Sequence, residues 1–220
     1  MAHMESHSVQ QCTILFADIA GSTALYESLG DEAAKQWVVR LQDRIAATAN
    51  DAGGQVQEVV GDELMIRYDR ARDAASAALA IQDAVVKFSD QSDLRLAVRI
   101  GLHCGEAIVD GDRMFGDMIN VAARVAAIAQ GGQIITTRAV VEQLPDSLRR
   151  LARRFDTAPV KGKSEPLEVY DLPRQAEDLT VIAQVDSTGP GVRTITLGGN
   201  GQHCTLTPQQ AAFVIGRDPA

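Results

Sequence analysis

Thr13-Ile14-Leu15-Phe16-Ala17-Asp18-Ile19-Ala20-Gly21-Ser22-Thr23 is an apolar run that meets a carboxylate and then a turn of small residues. It reads as a strand, about 12–18, that feeds a helix through the Gly-Ser-Thr turn. A second stretch repeats the theme: Val56-Gln57-Glu58-Val59-Val60, the break Gly61-Asp62, then Leu64-Met65-Ile66-Arg67-Tyr68. Two β-rich runs around a short Gly-Asp break read as a hairpin over 56–60 and 63–68. Taken singly, Asp18 or Asp62 is a turn former or a helix cap. Two carboxylates at separate strand ends, one beside a small-residue turn, suggest a hard-cation site. A cation of the Mg²⁺ type takes oxygen ligands and shares them between one or two carboxylates and substrate phosphates.

Outward from these two stretches, Ala34, Trp37, Val38, Leu41, Ile45 and Ala49 recur at helical spacing, and Asp51-Ala52-Gly53-Gly54 stops that helix. An alanine-rich helix is expected over about 71–88. Leu94, Leu96, Val98 and Ile100 alternate with Arg95 and Arg99, as in a strand reaching His103. A short strand follows at 106–109, a small-residue helix at 117–129, a strand at 133–136, and late strands near 152–161 and 166–171. Hairpins dominate the pairing, so the class is α+β, a mostly antiparallel sheet with flanking helices.

Composition bounds what such a chain does. At 220 residues and 45% hydrophobic content it holds one domain of ordinary size plus an appendage. Met1-Ala2-His3-Met4 reads as a cloning remnant. A net charge of −8 opposes a nucleic-acid-binding surface, and no apolar run is long enough for a membrane helix. Cys12, Cys104 and Cys204 are odd in number and far apart, which predicts buried thiols in a reducing cytoplasm. After Pro173 the texture turns rich in Gly, Thr and Ser. The domains are therefore drawn as 1–10, a disordered start; 11–173, the main domain; and 174–220, a linker and β-rich tail.

Four motifs in order, Ile14 to Thr23, Val60-Gly61-Asp62-Glu63-Leu64-Met65, Gly116 to Arg124, and Val160-Lys161-Gly162-Lys163, resemble the class III adenylate/guanylate cyclase catalytic domain. The resemblance runs from about Cys12 to Leu172 and implies that family's ferredoxin-like fold. It implies conversion of a nucleoside triphosphate to a 3′,5′-cyclic nucleotide and pyrophosphate, with two Mg²⁺ or Mn²⁺ ions per site. Asp18 and Asp62 would hold both ions, with the Ile19 carbonyl as an extra ligand. The amides of Ala20, Gly21, Ser22 and Thr23 would meet the β- and γ-phosphates, an anion site on general grounds at a helix start. Asn120 would orient the ribose, and Arg124, four residues on, would stabilise the α-phosphate with its planar fork. Lys161 corresponds to the lysine on the terminal phosphates.

The resemblance also implies a head-to-tail homodimer. Ions and triphosphate turn come from one protomer; Glu58, Arg113, Asn120, Arg124 and Lys161 come from the other. The segment between Glu106 and Gly116 is short, which suggests a smaller dimer contact there.

The base-reading positions depart from the family. Glu58 stands where adenylate cyclases carry Lys and guanylate cyclases Glu. Arg113 stands where they carry Asp or Thr and Cys respectively, with Asp112 one residue away. Glu only accepts and Arg only donates, so guanine, adenine in a reversed code, and a pyrimidine all stay open. An inactive nucleotide-binding module is the alternative. The closing Ala212-Phe213-Val214-Ile215-Gly216-Arg217-Asp218-Pro219 resembles the opening of a forkhead-associated (FHA) domain, implying a phosphothreonine-protein partner; an ordered or swapped β tail is the other reading.

Overall fold

The computed structural model describes residues 8–92, 94–110, 113–158, 167–174, 184–186, 194–199 and 202–206. The chain divides into two compact units between Arg174 and Gln175.

The first unit is built on β1, Ser8–Ala20, longer at both ends than its apolar run. Residues 8–10, expected outside the domain, belong to this strand because Ser8 to Gln11 pair with Val109 to Glu106 of β4, Ala97–Asp110. The strand expected to end near His103 and the one expected at 106–109 are thus a single β4. On its other side β1 pairs antiparallel with β3, Glu63–Tyr68, which forms a hairpin with β2, Gln55–Val60. The short β5, Arg113–Phe115, folds back on β4. Beyond α4, Asp117–Ile128, the chain enters β6, Ile134–Thr137. β6 lies parallel to β4, the one parallel pair among the described residues, in a sheet ordered β2-β3-β1-β4-β6-β8-β7. Here β7 spans Arg153–Ala158 and β8 spans Leu167–Asp171.

Strand alternation sends β1 side chains to two different layers. Leu15, Ala17 and Ile19 pack under α2, Asp31–Asp51, and α3, Ala71–Ser92, together with Leu41, Ile45 and Ile81. Cys12, Ile14 and Phe16 face the other way, against Met118, Ala122 and Ala126 of α4. The helix expected after the first turn is in fact two: α1, Ser22–Leu29, is separated from α2 by Gly30, whose positive φ of 79° breaks the helical path. Two four-residue helices, α5 at Arg138–Val141 and α6 at Asp146–Arg149, follow β6.

In the second unit β9, Gln184–Asp186, β10, Thr194–Gly199, and β11, Gln202–Leu206, form an antiparallel sheet ordered β11-β10-β9. The FHA-like residues Ala212 to Pro219 lie outside the described residues.

Candidate active site

Asp18 belongs to the α4 side of the sheet, in line with Ile14 and Phe16 but past the end of the helix that covers them. β1 continues past it to Ala20, so it does not close the strand as the sequence suggested. It lies two residues inside β1 and is 5% exposed. Its cross-strand neighbours are Glu63 on β3 and Arg99 on β4. Arg99 Nε donates to the Asp18 carboxylate, a charge-assisted bond at the place where a buried carboxylate most needs a cation. Burial pushes the Asp18 carboxyl above its ordinary value, Arg99 opposes that shift, and the nearby Asp62 adds to it. Glu63 is raised as well, first by burial and then by Asp18.

Asp62 occupies the second position of the two-residue turn that joins Val60 to Glu63. Gly61 takes the positive φ of 62° that this tight turn requires, and Gln42 of α2 donates to its carbonyl at 2.9 Å. The turn is thereby pinned from the helical layer, which holds the Asp62 side chain beside Asp18.

One cavity of about 510 Å³ gathers these groups. Asp18, Ile19, Ala20, Gly21, Ser22, Thr23 and Asp62 line it, together with Arg99 and the loop Ala129-Gln130-Gly131. Gly21, with φ of 81°, turns the chain from β1 into α1, so the first amides of that helix open toward the cavity. The donor set is oxygen-rich and carries two carboxylates, which suits a hard divalent cation. Among the described residues no group of three or more His, Cys, Asp or Glu forms a metal-holding cluster. A cation here would complete its coordination with the Ile19 carbonyl, water or phosphate oxygens.

Glu58, Arg113, Asn120 and Arg124 lie outside this lining. Glu58 is exposed on the edge strand β2, opposite Met65, which packs in the α4-side core. Asn120 is exposed and Arg124 half-buried on α4, off the stripe formed by Met118, Val121, Ala122 and Val125. Glu58, Asn120 and Arg124 therefore share the sheet face of Asp18 without converging on it in one chain. Met114 joins the α4-side core, so alternation along β5 turns Arg113 and Phe115 to the opposite face. Lys161 and Asp112 lie outside the described residues.

Sequence reasoning missed Arg99, which read only as the polar side of an alternating strand. It also missed the loop after α4. The pairing of Arg99 with Asp18 depends on the β1–β4 register, and no local pattern carries that.

Known proteins resemble this chain in sequence and in fold. Residues 4–173 match the family model described as the adenylate and guanylate cyclase catalytic domain. An adenylate cyclase of Anabaena cylindrica is 28% identical over 188 residues, covering 75% of this chain and 37% of its own length. An uncharacterized protein of Mycobacterium tuberculosis is 30% identical, covering 73% of this chain and 55% of its own length. The chain thus spans between 37% and 55% of these curated relatives. Among solved structures, the adenylate/guanylate cyclase/hydrolase from Silicibacter pomeroyi superposes with a TM-score of 0.68 at 28% identity, covering 76% of this chain and 99% of that one. The adenylyl cyclase CyaB from P. aeruginosa gives 0.67 at 22% identity, with 79% and 99% covered. Both share the α+β arrangement described above.

Proposed function

The chain belongs to the adenylate and guanylate cyclase catalytic-domain family, and we propose that it is an active nucleotide cyclase whose sites are completed between two copies. In the reaction the ribose 3′-oxygen loses its proton and bonds to the α-phosphorus. The bond from that phosphorus to the β-phosphate bridge breaks, and pyrophosphate leaves. One observation carries the reading. Asp18, Asp62 and the Ala20–Thr23 turn share a cavity, whereas Asn120 and Arg124 stand apart from it on the same sheet face. A head-to-tail pair of copies supplies each cavity with the residues its own chain leaves outside.

Asp18, Asp62 and the Ile19 carbonyl would hold two Mg²⁺ or Mn²⁺ ions. When bound, such ions acidify the attacking hydroxyl and neutralise phosphate charge. The amides from Ala20 to Thr23 receive the β- and γ-phosphates at the positive end of α1. Arg99, freed from Asp18 as that carboxylate takes other partners, is within the same cavity to meet the triphosphate. From the second copy, Asn120 orients the ribose, Arg124 stabilises charge on the α-phosphate, and Lys161 grips the terminal phosphates. Glu58 accepts N–H groups of the base, with Asp112 as its companion, since alternation along β5 turns Arg113 to the opposite face.

A second reading, a nucleotide-binding module without turnover, is favoured by the Glu58 and Arg113 pair, which matches neither standard base code. Incubation of the purified chain with ATP, GTP, UTP and CTP in turn, with Mn²⁺, separates the two by mass spectrometry. A cyclic nucleotide from at least one triphosphate, absent with Asp62→Asn, is expected. Bound triphosphate with no product from any of the four would establish the second reading.

A further inference from the structure

We infer that Gln82, in the helical layer outside the cavity, is a positioning residue for triphosphate binding; the inference rests on the reading of the cavity given above. Gln82 lies on α3 among Ala78, Ile81 and Val85 and is 2% exposed. A buried amide is costly unless it is hydrogen-bonded, so its presence among aliphatic neighbours calls for a reason. Its Nε2 donates to two backbone carbonyls, Val98 O at 2.9 Å and Gln133 O at 3.2 Å.

Neither carbonyl depends on Gln82 for satisfaction. Gly132 N already donates to Val98 O at 2.9 Å, and Ile100 N to Gln133 O at 3.0 Å. An apolar side chain would leave both with a partner and cost less to bury. What Gln82 adds is a clamp between two segments that bound the cavity. Val98 immediately precedes Arg99, the partner of Asp18. Gln133 closes the loop whose residues Ala129, Gln130 and Gly131 form one wall.

That loop is itself tightly tied. Gln133 N donates to Gln130 O at 2.9 Å, and the Gln133 side-chain oxygen accepts from Gln130 N at 2.9 Å. Its tip lies close to Ala20, where the Ala20–Thr23 turn begins. A Cβ on Gly131 would stand 3.0 Å from Ala20 Cβ and 3.1 Å from Ala97 Cβ, the cross-strand pair at the end of β1 and β4. A methyl on Gly131 would therefore oblige Ala20, the first residue of the turn, or the loop itself to give by a few tenths of an ångström. The path runs from Gln82 through Gln133 to Gly131 and Ala20, and in parallel from Gln82 through Val98 to Arg99.

Two variants of the full chain test this from opposite ends: Gln82→Met keeps the side-chain volume and removes the donor, and Gly131→Ala pushes on Ala20 directly. The probe is inorganic tripolyphosphate with Mn²⁺, titrated calorimetrically well below the melting temperature of each protein, which is measured alongside. Wild type is expected to bind, and each variant to bind about tenfold more weakly while remaining folded; because both act on one contiguous path, the double variant should lose no more than about threefold beyond the weaker single one, not the product of the two. In turnover, KM for the triphosphate should rise with kcat held within about twofold, the pattern of lost ground-state binding. A purely structural Gln82 would lower the melting temperature and leave tripolyphosphate affinity unchanged, which overturns the inference. Should Gln82→Met fail to fold, unchanged affinity in Gly131→Ala overturns it equally. No binding by wild type itself would instead overturn the reading of the cavity, and this inference with it.

Discussion

Asp18 and Asp62 resemble one another in the sequence, each a carboxylate beside a turn, yet the structure gives them different surroundings. Asp62 sits in a partly exposed hairpin turn, whereas Asp18 is buried against Arg99. Asp62→Asn is therefore expected to leave the melting temperature nearly unchanged while slowing turnover about a thousandfold, on the order of 4 kcal/mol of lost charge stabilisation. Asp18→Asn should lose activity similarly but raise the melting temperature at neutral pH, because burial holds the Asp18 carboxyl above its ordinary value and a neutral amide escapes that cost, while Arg99 is partly exposed to solvent. Equal melting temperatures for the two variants would contradict the burial argument, and near-normal rates in either would contradict their shared role. Arg124→Ala should keep KM within a few-fold and lower kcat about a hundredfold, since its contact strengthens as charge builds on the α-phosphate. A raised KM with kcat intact would make Arg124 a ground-state anchor. That Asp18 lies beside the Ala20–Thr23 turn was legible because they are neighbours in one stretch, whereas Asp62 joins them in the cavity through the pairing of β1 with β3. Arg99 was not legible, because its partner is 81 positions away in sequence and only strand register joins them.

At the scale of elements, the long helices and the β2–β3 hairpin were readable because each carries several periods of its pattern. The joins were not. Gln10 and Gln11 look like loop yet extend β1, since their backbone pairs with β4 whatever their side chains. α5 and α6, at four residues each, are too short to show a helical period. β4 illustrates what sets its sequence: α4 crosses it so closely that a methyl at Gly101 would overlap the backbone of Ala126. Gly101→Ala is accordingly expected to cost about 3 kcal/mol, the upper range for overpacking, and a lowering of the melting temperature by about 10 °C. A shift within a degree would mean that α4 moves away freely. On the other face of β4, burial pushes the Cys104 thiol up to about 11. A thiol whose folded value is raised contributes stability that is complete below its unfolded value, near 9, and is lost as pH rises toward 11. Wild type should thus lose stability more steeply than Cys104→Ala between those two pH values, read by denaturant titration. Parallel curves would show that the thiol ionises as readily folded as unfolded.

For the molecule as a whole, the division into two units after Arg174 falls beside Pro173, after which the composition turns rich in Gly, Thr and Ser. What composition cannot reveal is where a site is completed. The cavity of one chain contains Asp18, Asp62 and the Ala20–Thr23 turn, and Asn120 and Arg124, proposed for ribose and α-phosphate, lie outside it on α4. That separation is the central claim of a shared site, and subunit mixing tests it most directly. Asp62→Asn and Asn120→Ala, each inactive alone, are combined in equal amounts under conditions where subunit exchange is shown independently, and cyclic nucleotide formation is measured. Random exchange makes half the dimers mixed, each with one doubly damaged and one intact site, so roughly a quarter of wild-type activity is expected to return. No recovery would mean that each site is built within a single chain.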